Sequence, residues 1–400
     1  MISVEEALQH ILSYKLPHKT ELVELQDALG RVLAEPVIAD RDAPPFDRVT
    51  MDGIAIKSSA LQDHDSFAIE KIQAAGAERS RLSMAGNCIE VMTGAVLPMQ
   101  TDCIIPYEQI EIKDGRAYPL HKDHSAGQNI HTQGKDAQKG DILLQKGKTI
   151  SPTVAGILAS VGMQQVQVVK VPKIAICSTG DELVNIDQQP LPHQIRKSNA
   201  IMLESALMEW GLRAKSYHLP DDQELMTRRL TSLMDEYDVI LFSGAVSRGK
   251  YDFLPLVLED LGMKKVIHGV AQRPGKPFLF GSLANSLIFG FPGNPVSTFV
   301  CFHLYFKAWL RQHVGLPTIN YTATLGSDVI FDKPLSYHLL VSLIVENGVL
   351  VAMPVANSGS GDLVHLTQAD GLLTLPQEKA NFAKGEAYPL TFIRKDLFCW

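Results

Sequence analysis

The 400-residue chain is predicted to be a multidomain α/β plus β protein, and three observations carry that expectation. Between Lys173 and about Val314, short β-branched runs alternate with helical patterns, as in a mostly parallel sheet covered on both faces. From about Phe46 to Leu144, and again after Pro317, short runs separated by Gly, Pro and Asp turns predict two small β modules. The length also favours two to three domains, at roughly 150 residues each.

Taken in order, the first 35 residues predict two helices. Val4–Leu16 carries Ala7, Leu8, Ile11 and Leu12 at helical spacing, and Leu22–Leu33 continues the pattern until Pro36, Pro44 and Pro45 end it. Gly53–Ile56, Ser66–Ile72, Cys88–Met92, Cys103–Tyr107 and Gln109–Ile112 are expected strands. Ser151–Val161 is expected to be a helix beside the first two, which makes the β module an insertion in a helical domain. Next come strands Lys173–Cys177, Ala214–Leu219, Asp238–Ser243 and Ser286–Phe291. They alternate with helices Asn199–Trp210 (Asn199 as N-cap), Gln223–Asp235, Phe253–Leu261 and Pro295–His313. Thr322–Gly326, His338–Val345, Val349–Ala352, Leu372–Leu375 and Ala387–Ile393 are expected strands of a closing β domain. The expected boundaries are 1–45 plus 145–171, 46–144, 172–316 and 317–400.

Composition excludes several functions. A 46% hydrophobic, 20% charged chain is globular rather than disordered. The net charge of −7 lacks the positive footprint of a general nucleic-acid binder, although a local basic or N–H site can still hold a small anion. No run approaches about 18 apolar residues, so no membrane span is expected. The N-terminus has no signal-peptide pattern, and the five cysteines show no zinc-ligand spacing. Reduced thiols in a cytoplasmic protein are expected. Cys177 reads as a buried strand thiol rather than a nucleophile.

The chemistry-bearing residues gather at expected strand ends. They are Ser178-Thr179-Gly180-Asp181-Glu182, Pro220-Asp221-Asp222, Ser243-Gly244-Ala245-Val246-Ser247 through Asp252, and Pro292-Gly293-Asn294-Pro295. Ligands of open α/β sheets bind at this edge, where Gly lets backbone N–H groups approach an anion. Any one loop is also ordinary capped-turn chemistry; several at one edge favour a phosphate-bearing ligand. Arg273-Pro274-Gly275-Lys276-Pro277 adds a bidentate fork and a point charge suited to oxyanions, or is a solvated Pro-Gly turn. Neither GxxxxGK[ST] nor GxGxxG is present. Asp181, Glu182 and Asp252 among phosphate-friendly loops suit a hard divalent cation, and equally suit caps and surface charge. In the first β module, Asp52-Gly53, Thr93-Gly94 and Gly134-Lys135-Asp136 are turn chemistry as they stand.

Taken jointly, PPFDRVTMDGIA (Pro44–Ala55), TGAVLP, TDCIIPYE, GQNI with GKDAQKGD, STGDEL, SGAVSRGKYDF, RPGKP and FPGNPVS resemble the molybdopterin molybdenumtransferases, the MoeA and gephyrin E-domain family. The resemblance covers nearly the whole chain. It implies a molybdopterin-binding three-layer α/β domain, a β-rich insertion in a helical N-terminal domain and a C-terminal β-barrel-like domain. It further implies a cytoplasmic homodimer whose cleft lies between the α/β domain of one subunit and the β module of the other. The implied reaction inserts molybdenum from molybdate into adenylylated molybdopterin, with Mg²⁺ and release of AMP. A molybdopterin adenylyltransferase and molybdoenzyme chaperones are candidate partners. The alternatives are an adenylyltransferase itself, or a non-catalytic molybdopterin-binding scaffold of the same fold.

Carried onto this sequence, the family's functional positions fall on Asp52, Thr93, Asp136, Glu182, Asp221 or Asp222, Asp252, Arg273, Lys276, Pro292 and Pro295. We expect Asp52, Thr93, Asp136, Glu182 and Asp252 to be catalytic, with Asp181, Glu182 and Asp252 on the metal. Ser178, Thr179, Gly180, Asp222, Ser243, Gly244, Ser247, Arg273, Lys276, Pro292, Gly293, Asn294 and Pro295 are expected to bind substrate. Three departures stand out. His131-Thr132-Gln133 replaces the arginines many members carry, Lys135 replaces an acidic residue, and Ala245 replaces a second glycine.

Overall fold

The computed structural model describes residues 1–244, 246 and 253–394. Ser247, Asp252 and Ala245, singled out above, lie outside the described residues, as does Cys399. The chain forms two compact units: Met1–Glu21, Gly30–Val32 and Val168–Trp400 make one, and Leu22–Leu29 with Leu33–Gln167 make the other.

Helix α1 (Val4–Ser13) starts where the Ser3 hydroxyl accepts from the Glu6 N–H and Glu6 bonds back to the Ser3 N–H. That reciprocal pair satisfies two helix-end donors. The second expected helix is absent. Thr20–Glu24 is a strand and Leu25–Asp27 a single 3₁₀ turn. The strand alternates exposed and half-buried residues, a period of two that the helical reading of Leu22–Leu33 overlooked.

In the second unit, six strands form one mixed sheet: β1 (Gly53–Ile56), β2 (Phe67–Gln73), β3 (Asn87–Val91), β4 (Cys103–Pro106), β5 (Ile110–Lys113) and β6 (Arg116–Pro119), in the order β4-β1-β3-β2-β6-β5. Ile54, Ile56 and Ile105 pack on one face and Ala55, Ile89 and Ile104 on the other, so both faces are covered. Helix α2 (Pro152–Ser160) belongs to this unit, with Pro152 at its first position and the Ser151 hydroxyl as its cap.

The first unit contains the α/β sheet. Its elements are β7 (Ile174–Thr179), α3 (Ser198–Glu209), β8 (Ala214–Leu219), α4 (Gln223–Glu236), β9 (Val239–Ser243), α5 (Leu254–Asp260), β10 (Lys264–His268), β11 (Leu279–Leu283) and β12 (Ser286–Phe291). The strand order is β8-β7-β9-β12-β11-β10. The first four run parallel, and β11 and β10 add an antiparallel edge that alternation alone does not predict. Odd and even residues of each central strand enter different cores. Ile174, Ile176, Val239, Leu241 and Phe289 pack with α3, while Ala175, Cys177, Ile240, Phe242 and Ile288 pack with α4 and α5. That makes three layers. The expected helix 295–313 is continuous but changes winding: α6 (Pro295–Cys301), a π segment Phe302–Phe306, and α7 (Lys307–His313).

Helix α1 also buries Val4, Ala7 and Ile11 in this α/β core, whereas the sequence groups it with the helix at 151–161. An apolar stripe does not name its partner, and here the Trp309 indole N–H donates to the Tyr14 carbonyl at 2.9 Å.

The C-terminal strands β13 (Tyr321–Leu325), β14 (Ser336–Glu346), β15 (Val349–Pro354), β16 (Gly371–Leu375) and β17 (Ala387–Phe392) run in the order β14-β15-β13-β17-β16, and β16 pairs back to β14. A closed five-stranded barrel results. Leu339, Val341 and Leu343 fill it, whereas Leu340 and Leu372 join the α/β core. A one-turn helix, α8 (Leu363–Leu366), lies between β15 and β16.

Phe289 is fully buried, with its ring 4.9 Å from Phe280, 5.4 Å from Phe306 and 5.8 Å from Trp309. Phe289→Ala is expected to lower unfolding stability by about 3–5 kcal/mol in a denaturant titration of the full chain.

Candidate active site

Strands β7, β9 and β12 end side by side, and their loops line one cavity of about 830 Å³. Ser178 and Thr179 end β7 and are followed by Gly180 and Glu182, Ser243 ends β9 and is followed by Gly244 and Val246, and Pro292, Gly293, Asn294 and Pro295 follow β12. The backbones are pressed together. Gly244 has φ +106°, and a β-carbon there would lie 2.9 Å from the Thr179 hydroxyl. At the Gly293 position a β-carbon would make only ordinary contact with the Gly244 Cα, at 3.7 Å.

Asn199 holds two of these loops. Its Nδ2 donates to the Ser243 hydroxyl at 2.8 Å and to the Gly293 carbonyl at 2.7 Å. The expected N-cap role is therefore corrected: α3 begins at Ser198, and the Asn199 amide reaches across the sheet edge instead. A cap and a cross-link use the same amide, so residue type alone does not separate them. The Asn199 Oδ1 and Thr179 hydroxyl are buried without a hydrogen-bond partner, and both residues line the cavity. Such atoms are costly unless a ligand or water satisfies them.

The carboxylates divide. Glu182 lines the cavity and folds back over Gly180. Asp181 accepts the Asp221 N–H at 3.2 Å, and Asp221 lines the cavity. Asp222 does not line it; its carboxylate caps α4 by accepting the Leu225 N–H at 2.8 Å. Of the two neighbours weighed in the sequence, Asp221 faces the cleft. Arg196 and Lys197 also line it, a pair the sequence reading missed. Among the described residues, no group of three or more His, Cys, Asp or Glu is arranged to hold a metal.

Arg273 and Lys276 line a second cavity of about 450 Å³. It shares Pro277, Pro292 and Asn294 with the first. Lys333, Tyr337, Asn357 and Ser360 from the C-terminal region complete its wall, and no described Asp or Glu lines it. Three cations around a hollow without acids attract an anion. Lys333 has no motif around it, so only folding reveals it.

Residues 2–162 match the model of the MoeA N-terminal region (domain I and II), residues 175–312 that of a probable molybdopterin binding domain, and residues 322–391 that of the MoeA C-terminal region (domain IV). The chain belongs to the MoeA family. A protein named molybdopterin molybdenumtransferase from Synechocystis sp. is 39% identical over 395 residues, covering 97% of this chain and 99% of its own length. One of the same name from Bacillus subtilis is 31% identical, covering 99% of this chain and 95% of its own. Among solved structures, the molybdopterin biosynthesis MoeA protein of Pyrococcus horikoshii superposes with a TM-score of 0.83 at 28% identity, covering 98% of this chain and 99% of that one.

The remaining residues singled out in the sequence lie in the second unit. The Asp52 carboxylate accepts from the Thr93 N–H at 2.6 Å and the Thr93 hydroxyl at 2.8 Å. These bonds, the backbone one first, hold Asp52 below the usual carboxylate range. Asp136 faces His131 Nε2 at 2.9 Å, and Arg48 approaches His131 Nδ1 at 3.1 Å. Arg48 can only donate, so Nε2 carries the proton and donates to Asp136. The departure at His131 thus sets an imidazole between Arg48 and Asp136. Gln133 donates to Asp42 at 2.9 Å. Lys135 is exposed beside Asp136. Cys177 is fully buried and burial raises its thiol, in keeping with an inert strand residue.

Two outcomes follow from this geometry. Asn199→Ala frees the Ser243 and Gly293 loops and is expected to lower unfolding stability by about 1–3 kcal/mol, read by chemical denaturation. Thr93→Val removes one of two bonds to Asp52, so the Asp52 titration followed by carboxyl ¹³C NMR should move part of the way back up. Because the folded carboxyl is depressed, the stability these bonds contribute is full at neutral pH. It fades as pH falls through the usual carboxylate range and is lost below the folded value.

Proposed function

We propose that this chain acts in molybdenum cofactor biosynthesis as a transferase that inserts molybdenum from molybdate into adenylylated molybdopterin and releases AMP. One observation carries the reading: a Gly/Ser/Thr-lined cavity with carboxylates adjoins a cationic one, in a chain with full-length relatives named molybdopterin molybdenumtransferase. Ser178, Thr179 and Ser243 would hold the phosphates by their hydroxyls and Gly180 by its backbone N–H, with Gly244, whose own N–H donates to the Phe291 carbonyl, allowing close approach, and with the pterin part along Pro292–Pro295. Thr179 and Asn199 would gain in the ligand the partners they lack. Arg273, Lys276 and Lys333 would receive the oxyanion.

The oxygen donors of Asp181 and Glu182 fit a hard divalent cation, and with Asp252 they would hold Mg²⁺. When bound, it would neutralise charge on the phosphate oxygens as AMP leaves. The chain's own groups orient the phosphoanhydride and keep it beside the oxyanion. We further propose a cytoplasmic homodimer in which Asp52, Thr93 and Asp136 of one subunit serve the cleft of the other. A molybdopterin adenylyltransferase would hand over the substrate, and molybdoenzyme chaperones would receive the product. The full-length match supports this reading over an adenylyltransferase or a scaffold, and no helix among the described residues is long and apolar enough to cross a membrane.

Incubation with adenylylated molybdopterin, molybdate and Mg²⁺ should release AMP and yield active cofactor. Adenylylation of molybdopterin from ATP, or binding without turnover, would instead favour the alternatives. Asp52→Ala and Glu182→Gln should each abolish AMP release while leaving the dimer folded. Mixed after subunit exchange, the two inactive variants should recover about a quarter of the activity, since half the dimers then carry one intact composite site. No recovery despite exchange would place each site within one subunit.

A further inference from the structure

Beneath the cationic cavity lies a buried polar network that the proposed chemistry leaves unused. Gln272, immediately before Arg273, is fully buried. Its Nε2 donates to the Gly275 carbonyl at 3.2 Å and to Cys301 Sγ at 3.4 Å. Its Oε1 accepts from the Tyr305 hydroxyl and faces His338 Nε2 at 3.4 Å. His338, on β14, has its Nδ1 3.1 Å from the Thr374 hydroxyl on β16. Burial pushes the His338 imidazole down to about 3, so the ring is neutral and carries one N–H. An amide oxygen only accepts, so Nε2 carries that hydrogen and Nδ1 accepts from Thr374.

The network closes on the turn that carries the two cations. Gly275 has φ +93°, and a β-carbon there would lie 2.5 Å from Cys301 Sγ and 2.7 Å from Gln272 Nε2. Gln272 and Arg273 also pair in parallel with Ser336 and Tyr337 of β14. The turn is therefore held by its own amide hub on one side and by a barrel strand on the other. Gln272 and His338 both line the cavity floor.

We propose that Gln272 and His338 are positioning residues for anion capture: they fix the Arg273–Lys276 turn so that its cations converge, and they tie that geometry to the barrel. The proposal rests on the cationic cavity being the oxyanion site. A satisfied buried network holds one geometry firmly, and losing one partner leaves the rest unpaired.

The test uses the full-length protein, with the molybdate Kd read by equilibrium dialysis and kcat by AMP release. Gln272→Met keeps the volume and removes the hub; it should raise Kd and KM for molybdate about tenfold while kcat changes less than about twofold. His338→Phe should do the same. His338→Gln, which can still donate to the same oxygen, should restore Kd to within about twofold. Tyr305→Phe removes one hydroxyl, should raise Kd about threefold, and decides the matter if Gln272→Met does not fold. An unchanged Kd in Gln272→Met or Tyr305→Phe, or His338→Gln as poor as His338→Phe, overturns the proposal. Lys276→Ala separates the two levels. If it raises Kd and the network variants do not, the positioning role alone falls; if it too leaves Kd unchanged, the oxyanion reading falls and takes this proposal with it.

Discussion

A sheet covered on both faces can meet a ligand only at its strand ends. In β7, β9 and β12 every residue is buried, and the apolar side chains alternate between the two cores. Both faces are thus committed to apolar packing, and polar chemistry is pushed to the last strand residues, Ser178, Thr179 and Ser243, and to the loops that follow. The order β7-β9-β12 then brings together three segments separated by up to about a hundred residues. Ser178, Ser243 and Gly293 meet because their strands are neighbours.

The crowding of that edge explains its composition. Glycine at 244 is required because a β-carbon would strike Thr179. Asn199 is suited to bridging Ser243 and Gly293 because one NH₂ supplies two hydrogens. The second cavity is built differently. Its cations sit on a turn and on a barrel segment, and its floor is a closed set of hydrogen bonds. One cavity is lined by serine, threonine and glycine, the other by cations above a neutral buried network.

Much of this was legible in the sequence because strand and helix periods are local. Ala214–Leu219 and Ser286–Phe291 are observed at the predicted residues, and the barrel strands fall within two residues of their expected ends. Long-range pairing was not legible. The helical reading of Leu22–Leu33 failed because apolar residues at mixed spacing fit a half-buried strand as well. The antiparallel edge β11–β10 went unseen because no α/β alternation marks it. In the site, loops next to strands could be placed; Asn199, Lys197 and Lys333 could not, since their importance lies in what the fold sets opposite them. Asp222 over Asp221 turned on which of two adjacent carboxylates caps a helix, a matter of one rotation about the chain.

Strand β14 serves two interiors at once. Leu339, Val341 and Leu343 fill the barrel while Leu340, between them, belongs to the α/β core. Its N-terminal end also carries Ser336 and Tyr337 against Gln272 and Arg273. A shift by one residue would exchange both sets of side chains and carry His338 to the wrong side. A single insertion or deletion within β14 therefore disturbs two interiors at once, and the tight turn at Asn347–Gly348, both residues at positive φ, pins the register from its far end.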